Sequence, residues 1–148
     1  MYPPARRTPC NGTLIMPTLF TRIIQGELPG RFVWKDEHCV AFLSIEPLRP
    51  GHTLLVPRAE IDHWIDVPDP LHAHLAQVAR RLGAALQSAF QPAKVGVMIA
   101  GLEVRHVHWH LIPIHELGDL NFARADKHAK PADLDAAAAL LRAELGRP

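Results

Sequence analysis

The chain has 148 residues, two of them cysteines, with 48% hydrophobic and 21% charged positions and a formal net charge of +1. Composition is that of one ordinary globular domain, and a chain this long buries about 68–70% of its unfolded surface without staples. The near-zero charge gives no field for nucleic acid or an anionic membrane, and Cys10 and Cys39 are too few for a disulfide framework.

Residues 1–18 carry Pro3, Pro4, Pro9 and Pro17 and no hydrophobic period, which predicts an irregular arm ahead of a single domain over 19–148. The basic residues of MYPPARRTP precede no apolar run, so no secretory leader is expected and the setting is read as cytoplasmic. No run approaches the roughly 20 apolar residues that span a membrane.

Phe20, Ile23 and Ile24 stand at helical spacing, with Thr18 or Thr21 near the start and Gly26 and Pro29 where the helix must end. RFVWKD (31–36) and HCVAFLSI (38–45) read as a hairpin turning at Asp36-Glu37. A Pro/Gly loop (46–51) leads to a third strand, HTLLVP (52–57), and then a helical turn in RAEIDHWIDVP. Asp69 is placed as an N-cap, with Pro70 in first helical position. Leu71, Leu75, Val78, Leu82 and Leu86 form one stripe of a long helix ending near Phe90 and Pro92. Lys94–Ala100 and His106–Ile114 read as the last two strands, and Pro131 opens a C-terminal helix with Leu134, Ala138, Leu141 and Leu145 on one face. The fold class is α+β: a mostly antiparallel five-stranded sheet with a long helix and a C-terminal helix on it.

His106, His108 and His110 alternate with Val107, Trp109 and Leu111. In a strand such residues share one face, leaving the apolar set for the core. Three readings compete. The histidines are scattered without meaning; or they hold a metal, aided by Glu103, Glu116 or His115; or one is a nucleophile. A neutral imidazole can attack phosphorus and form a phosphoramidate, with its neighbours orienting it and moving protons.

AGLEVRHVHWHLIP (100–113) resembles the signature of the histidine triad (HIT) family, His-x-His-x-His-x-x with apolar x. LFTRIIQGELP (19–29) resembles the family's opening helix, and CVAFLSIEPLRPGHTLLVPR (39–58) its central hairpin. The Hint-type branch is the nearest match. The resemblance implies a homodimer with a continuous sheet and the long helices at its interface. It implies hydrolysis or transfer at the α-phosphate of a purine nucleotide conjugate: a phosphoramidate, an acyl-adenylate or a dinucleoside polyphosphate. His108 falls at the nucleophile position and His106 and His110 at its flanking partners. His52 falls at a further family histidine. The main-chain carbonyl of the third histidine is expected to hold the nucleophile's second nitrogen. Phe20, Ile23, Leu28 and Ile45 match the apolar cleft for the base. Gly101 and Glu103 fall in the phosphate loop, and Arg105 is a cation beside it. Glu103 is expected to point away from phosphate or offer only its N–H.

The chain also departs from the family pattern. Ser44 replaces the Asp that grips ribose hydroxyls. Thr18 and Thr21 stand where many bacterial relatives carry a zinc-binding Cys-x-x-Cys pair, so no metal and no cofactor are expected. Two rivals remain: a diadenosine polyphosphate hydrolase or phosphorylase, and a nucleotide-binding or interaction module with little or no turnover.

Overall fold

The computed structural model describes residues 16–146. Most of the arm expected over 1–18, with Cys10, lies outside the described residues.

Helix α1 (Leu19–Ile24) begins where Thr18 accepts a hydrogen bond from the Thr21 N–H and caps it. Strands β1 (Phe32–Lys35) and β2 (Cys39–Leu43) form the expected hairpin. Strand β3 (Thr53–Pro57) follows, then α2 (Asp69–Phe90), β4 (Lys94–Ile99), β5 (Trp109–Ile114) and α3 (Pro131–Leu145). The sheet order is β1-β2-β3-β5-β4, and every neighbouring pair is antiparallel.

Period-2 alternation sorts the strand side chains onto two cores. Cys39, Ala41, Leu43, Leu55, Trp109 and Leu111 pack under α2 and α3, against Leu75, Val78, Leu82, Leu86 and Leu141. Val40, Phe42, Leu54 and Val56 face the other way and pack on Phe20 of α1. The α2 stripe is thus the one read from sequence, with Leu71 only half-buried at its start.

Two boundaries differ from expectation. Asp69 is the first residue of α2 and not its cap; Pro68 holds the cap position without a side-chain bond. Pro68 has no side-chain acceptor and Pro70, second in the helix, has no N–H to be capped, while the Asp69 carboxylate still lies in the first turn at the positive end of the helix. The last strand starts at Trp109, not at His106. Pairing with β3 stops at Leu55–Trp109, although β3 itself runs on to Pro57 against β2, and β4 ends at Ile99, paired with Trp109. The backbone ahead bonds elsewhere: His106 N–H to the Val104 carbonyl at 2.9 Å and Val107 N–H to the Ile61 carbonyl at 2.7 Å.

Gly51 ties the central hairpin to the end of α2. Its φ is +91°, and a Cβ there would stand 2.6 Å from the Phe90 ring, so only glycine fits.

Candidate functional site

The side-chain alternation outlasts the ladder. Val107 is buried among the α2-face residues, while His106, His108 and His110 are 0%, 6% and 8% exposed on the α1 side. Phe20 fixes that side: its ring lies edge-on, centroid 6.0 Å from His106 and 4.8 Å from His108. The rings of His108 and His110 are 4.8 Å apart.

Hydrogen bonds decide which nitrogen of each ring carries a proton. A carbonyl only accepts, so His106 Nε2–H donates to Pro57 O at 2.8 Å and His108 Nδ1–H donates to His106 O at 2.7 Å. His108 therefore keeps Nε2 unprotonated. The carbonyl that holds it belongs to the first histidine of the three, not to the third as the resemblance implied. The short His106–His108 span, outside any ladder, leaves the His106 carbonyl free for this bond.

His52 enters through the central hairpin. The Leu48 N–H donates to His52 Nδ1 at 3.1 Å, so the proton of a neutral His52 sits on Nε2. That Nε2–H meets His110 Nδ1 at 2.9 Å. The remaining N–H of a neutral His110 is then on Nε2. Burial, reinforced by His110 and His108, pushes His52 down to about 3. Burial, with His108, pushes His110 down to about 4. His106 and His108 are also lowered, mainly by burial. The cluster is thus neutral at physiological pH, with one bare nitrogen on His108.

Beside it lies an apolar cavity of ≈ 590 Å³. Phe20, Ile23, Leu28, Ser44 and Ile45 all line it. Its polar groups besides Ser44 include Arg31 and Asp135, joined Nε to Oδ1 at 2.6 Å. Neither was singled out from sequence, since Asp135 arrives from α3, more than a hundred residues from Arg31.

The phosphate-loop candidates divide. Gly101 has φ +79°, a left-handed turn that favours glycine. Glu103 is exposed, yet its charge acts on His108 and opposes the lowering by burial, so it is not removed from the site electrostatically. Arg105 is not a free cation; its exposed guanidinium pairs with Asp62 at 3.1 Å.

Other residues join the site that sequence reasoning missed. Phe122, on a 3-10 turn, sets its ring edge-on to His110 at 4.9 Å. Thr18 Oγ1 lies 2.7 Å from His106 Nδ1, and Thr21 Oγ1–H donates to Glu60 Oε2 at 2.8 Å. With Nε2 of His106 carrying the proton, Nδ1 must accept, so Thr18 donates. Thr18 and Thr21, where the resemblance would put a thiolate pair, form a hydroxyl network instead. Two Thr residues three apart, one capping α1 and one in its first turn, are its sequence signal.

The HIT domain family model matches residues 25–117. An uncharacterized HIT-like protein of Methanocaldococcus jannaschii is 34% identical over 121 residues, spanning 79% of this chain and 92% of that protein. Adenosine 5'-monophosphoramidase HNT1 of Saccharomyces cerevisiae is 33% identical over 102 residues, 68% of this chain and 65% of that one. The crystal structure of a Hit-like protein involved in cell-cycle regulation from Bartonella henselae superposes with TM-score 0.74 at 26% identity, covering 86% of this chain and 95% of that one.

Proposed function

The chain belongs to the HIT domain family, and on that premise we propose that it is a nucleotide hydrolase or transferase acting at the α-phosphate of purine nucleotide conjugates. The observation that carries this reading is the bare Nε2 of His108, its ring held through Nδ1 by the His106 carbonyl at 2.7 Å. A pinned, neutral imidazole is a nucleophile that needs no deprotonation before attack. Nε2 attacks the α-phosphorus, the bond to the leaving group breaks, and a nucleotidyl-His108 forms. Water then attacks that phosphorus, returns the electron pair to Nε2 and releases the nucleoside monophosphate. His110, with its remaining N–H on Nε2, would donate a hydrogen bond to a phosphate oxygen beside the nucleophile, and His52 holds it in that tautomer. The departing group takes its proton from solvent, and the attacking water returns one. Phe20, Ile23, Leu28 and Ile45 would sandwich the base, with Ser44 near the sugar. Gly101 and Glu103 would meet phosphate through their N–H groups, and Arg105 would reach the anion only by leaving Asp62.

The phosphoramidase-like activity, within the Hint-type branch, draws support from the yeast monophosphoramidase among the relatives. A homodimer joined through β4 is part of the proposal. That strand is an edge of the sheet, its Val97 is 54% exposed, and it borders a groove shared with Ala76, Ala79 and Gly83 of α2. Light scattering gives the mass directly.

The test is adenosine phosphoramidate turnover. His108→Ala should lose several powers of ten in rate, about 1.4 kcal/mol per power, with unchanged circular dichroism. Wild-type protein quenched during turnover should carry an acid-labile nucleotidyl adduct on His108. A folded His108→Ala variant with wild-type rate would defeat the mechanism; binding of nucleotide without adduct or turnover would leave the binding-module reading.

A further inference from the structure

On the α2 face of the sheet, away from the imidazoles, three potential ligands converge. Asp36 comes from the β1–β2 turn, Cys39 from β2 and His74 from the second turn of α2. Cys39 Sγ lies 3.4 Å from Asp36 Oδ2, and His74 Nε2 lies 2.9 Å from that same oxygen. One ligand atom from each residue falls within 4.8 Å of the other two. Ligands held tetrahedrally by zinc at its usual bond lengths stand about 3.3–3.8 Å apart, so movements of up to about an ångström would seat an ion.

We propose that Asp36, Cys39 and His74 form a binding site for a borderline-soft divalent cation of the zinc type, independent of the nucleotide site. Thiol, imidazole and carboxylate together are the donor set that such an ion selects over magnesium or calcium. The carboxylate is already oriented. Trp34 Nε1–H donates to Oδ2 at 2.7 Å, and the N–H groups of His38 and Cys39 each donate to Oδ1 at 2.8 Å. Outer contacts of this kind fix the ligands of natural metal sites. Burial opposes ionisation of Asp36, but these bonds and His74 overcome it and hold the group ionised well below the usual carboxylate range.

The site opens outward. Asp36 and His74 are part-exposed, and a cavity of ≈ 390 Å³ lined by His38, Pro68, Pro70, Leu71 and His74 adjoins them. The His38 ring stands 5.0 Å from that of His74. Burial and the Asp36 charge push the Cys39 thiol up to about 12, so the thiol is protonated until a cation displaces its proton. The bound ion would clamp the first hairpin to the start of α2. Catalysis would not need it, because the imidazoles lie on the opposite face.

The test uses full-length protein carrying Cys10→Ser, which leaves Cys39 as its one thiol. After reduction and chelation it is titrated with Co2+. The expected result is one equivalent bound with a thiolate-to-cobalt charge-transfer band, bleached by one equivalent of Zn2+, and Tm raised by either metal. Asp36→Asn and His74→Gln, both at part-exposed positions, should each weaken binding at least about tenfold. Phosphoramidate turnover should be the same before and after chelation. Absence of the band, or an equally strong band in both variants, would reduce the cluster to a hydrogen-bonded clamp and overturn the proposal.

Discussion

His52 Nε2 and His110 Nδ1 meet at 2.9 Å between two buried rings. The contact joins the central hairpin to β5 across a strand pairing, for His52 precedes β3 and His110 pairs with Leu54 within it. It also sets a tautomer, since the Leu48 N–H on His52 Nδ1 dictates the proton positions of both imidazoles.

His52→Ala should therefore lower kcat more than it raises KM, by about tenfold to a hundredfold. It leaves His110 Nδ1 and the Leu48 N–H without their partner, which should cost about 1–3 kcal/mol of stability per group. Steady-state kinetics and urea unfolding check the two effects separately. A His52→Ala protein with native kcat would remove His52 from the site.

Acid should destabilise the chain before its carboxylates are protonated. His52 and His110 bind protons at about 3 and about 4 when folded, against a reference of 6.5. Between those values the unfolded chain holds more protons than the folded one, so stability is complete above 6.5 and falls as pH drops toward 4. Each such histidine contributes up to about 1.4 kcal/mol per pH unit in that window. Denaturant midpoints at pH 7.5, 6 and 5 measure the slope, and the double variant His52→Gln with His110→Gln should flatten it.

Thr18 should act through His106. Thr18→Val removes the hydroxyl donor from a ring nitrogen buried at 0% exposure. The prediction is a several-fold loss in kcat with little change in KM, because the ring whose carbonyl holds His108 loses an anchor. Thr18→Ser keeps both the cap on α1 and the donor, and should restore the rate. A Val variant with a raised KM and native kcat would point to the cleft instead.

The sugar should be read weakly. Ser44 offers one neutral hydroxyl where a carboxylate would take charge-assisted bonds of roughly twice the strength. Ribo- and 2′-deoxyribonucleotide phosphoramidates should differ by less than about tenfold in kcat/KM, or about 1.4 kcal/mol. Ser44→Asp should widen the gap toward ribose. A wild-type gap of a hundredfold would place another group on the hydroxyls, and Asp135→Asn would then be the variant to measure, since Asp135 lines the same cavity.

Much of this was legible in the sequence because it rests on local periodicity. Alternation in 106–111 assigned imidazoles and apolar side chains to opposite faces, and the pattern held even where the ladder had ended. The stripe from Leu75 to Leu86 named the core face of α2 for the same reason. Cleft residues Phe20, Ile23 and Ser44 followed from resemblance, which carries tertiary information that spacing lacks. Only the tertiary structure decided the rest. Strand length at His106 depended on where pairing with β3 stops and where β4 ends. The tautomer of His108 depended on one carbonyl, and that of His110 on a loop N–H relayed through His52. Glu60 reached Thr21, and Asp135 reached Arg31, across long stretches of chain. Periodicity fixes which face a side chain takes; hydrogen-bond partners distant in sequence are chosen by packing, and no local pattern encodes them.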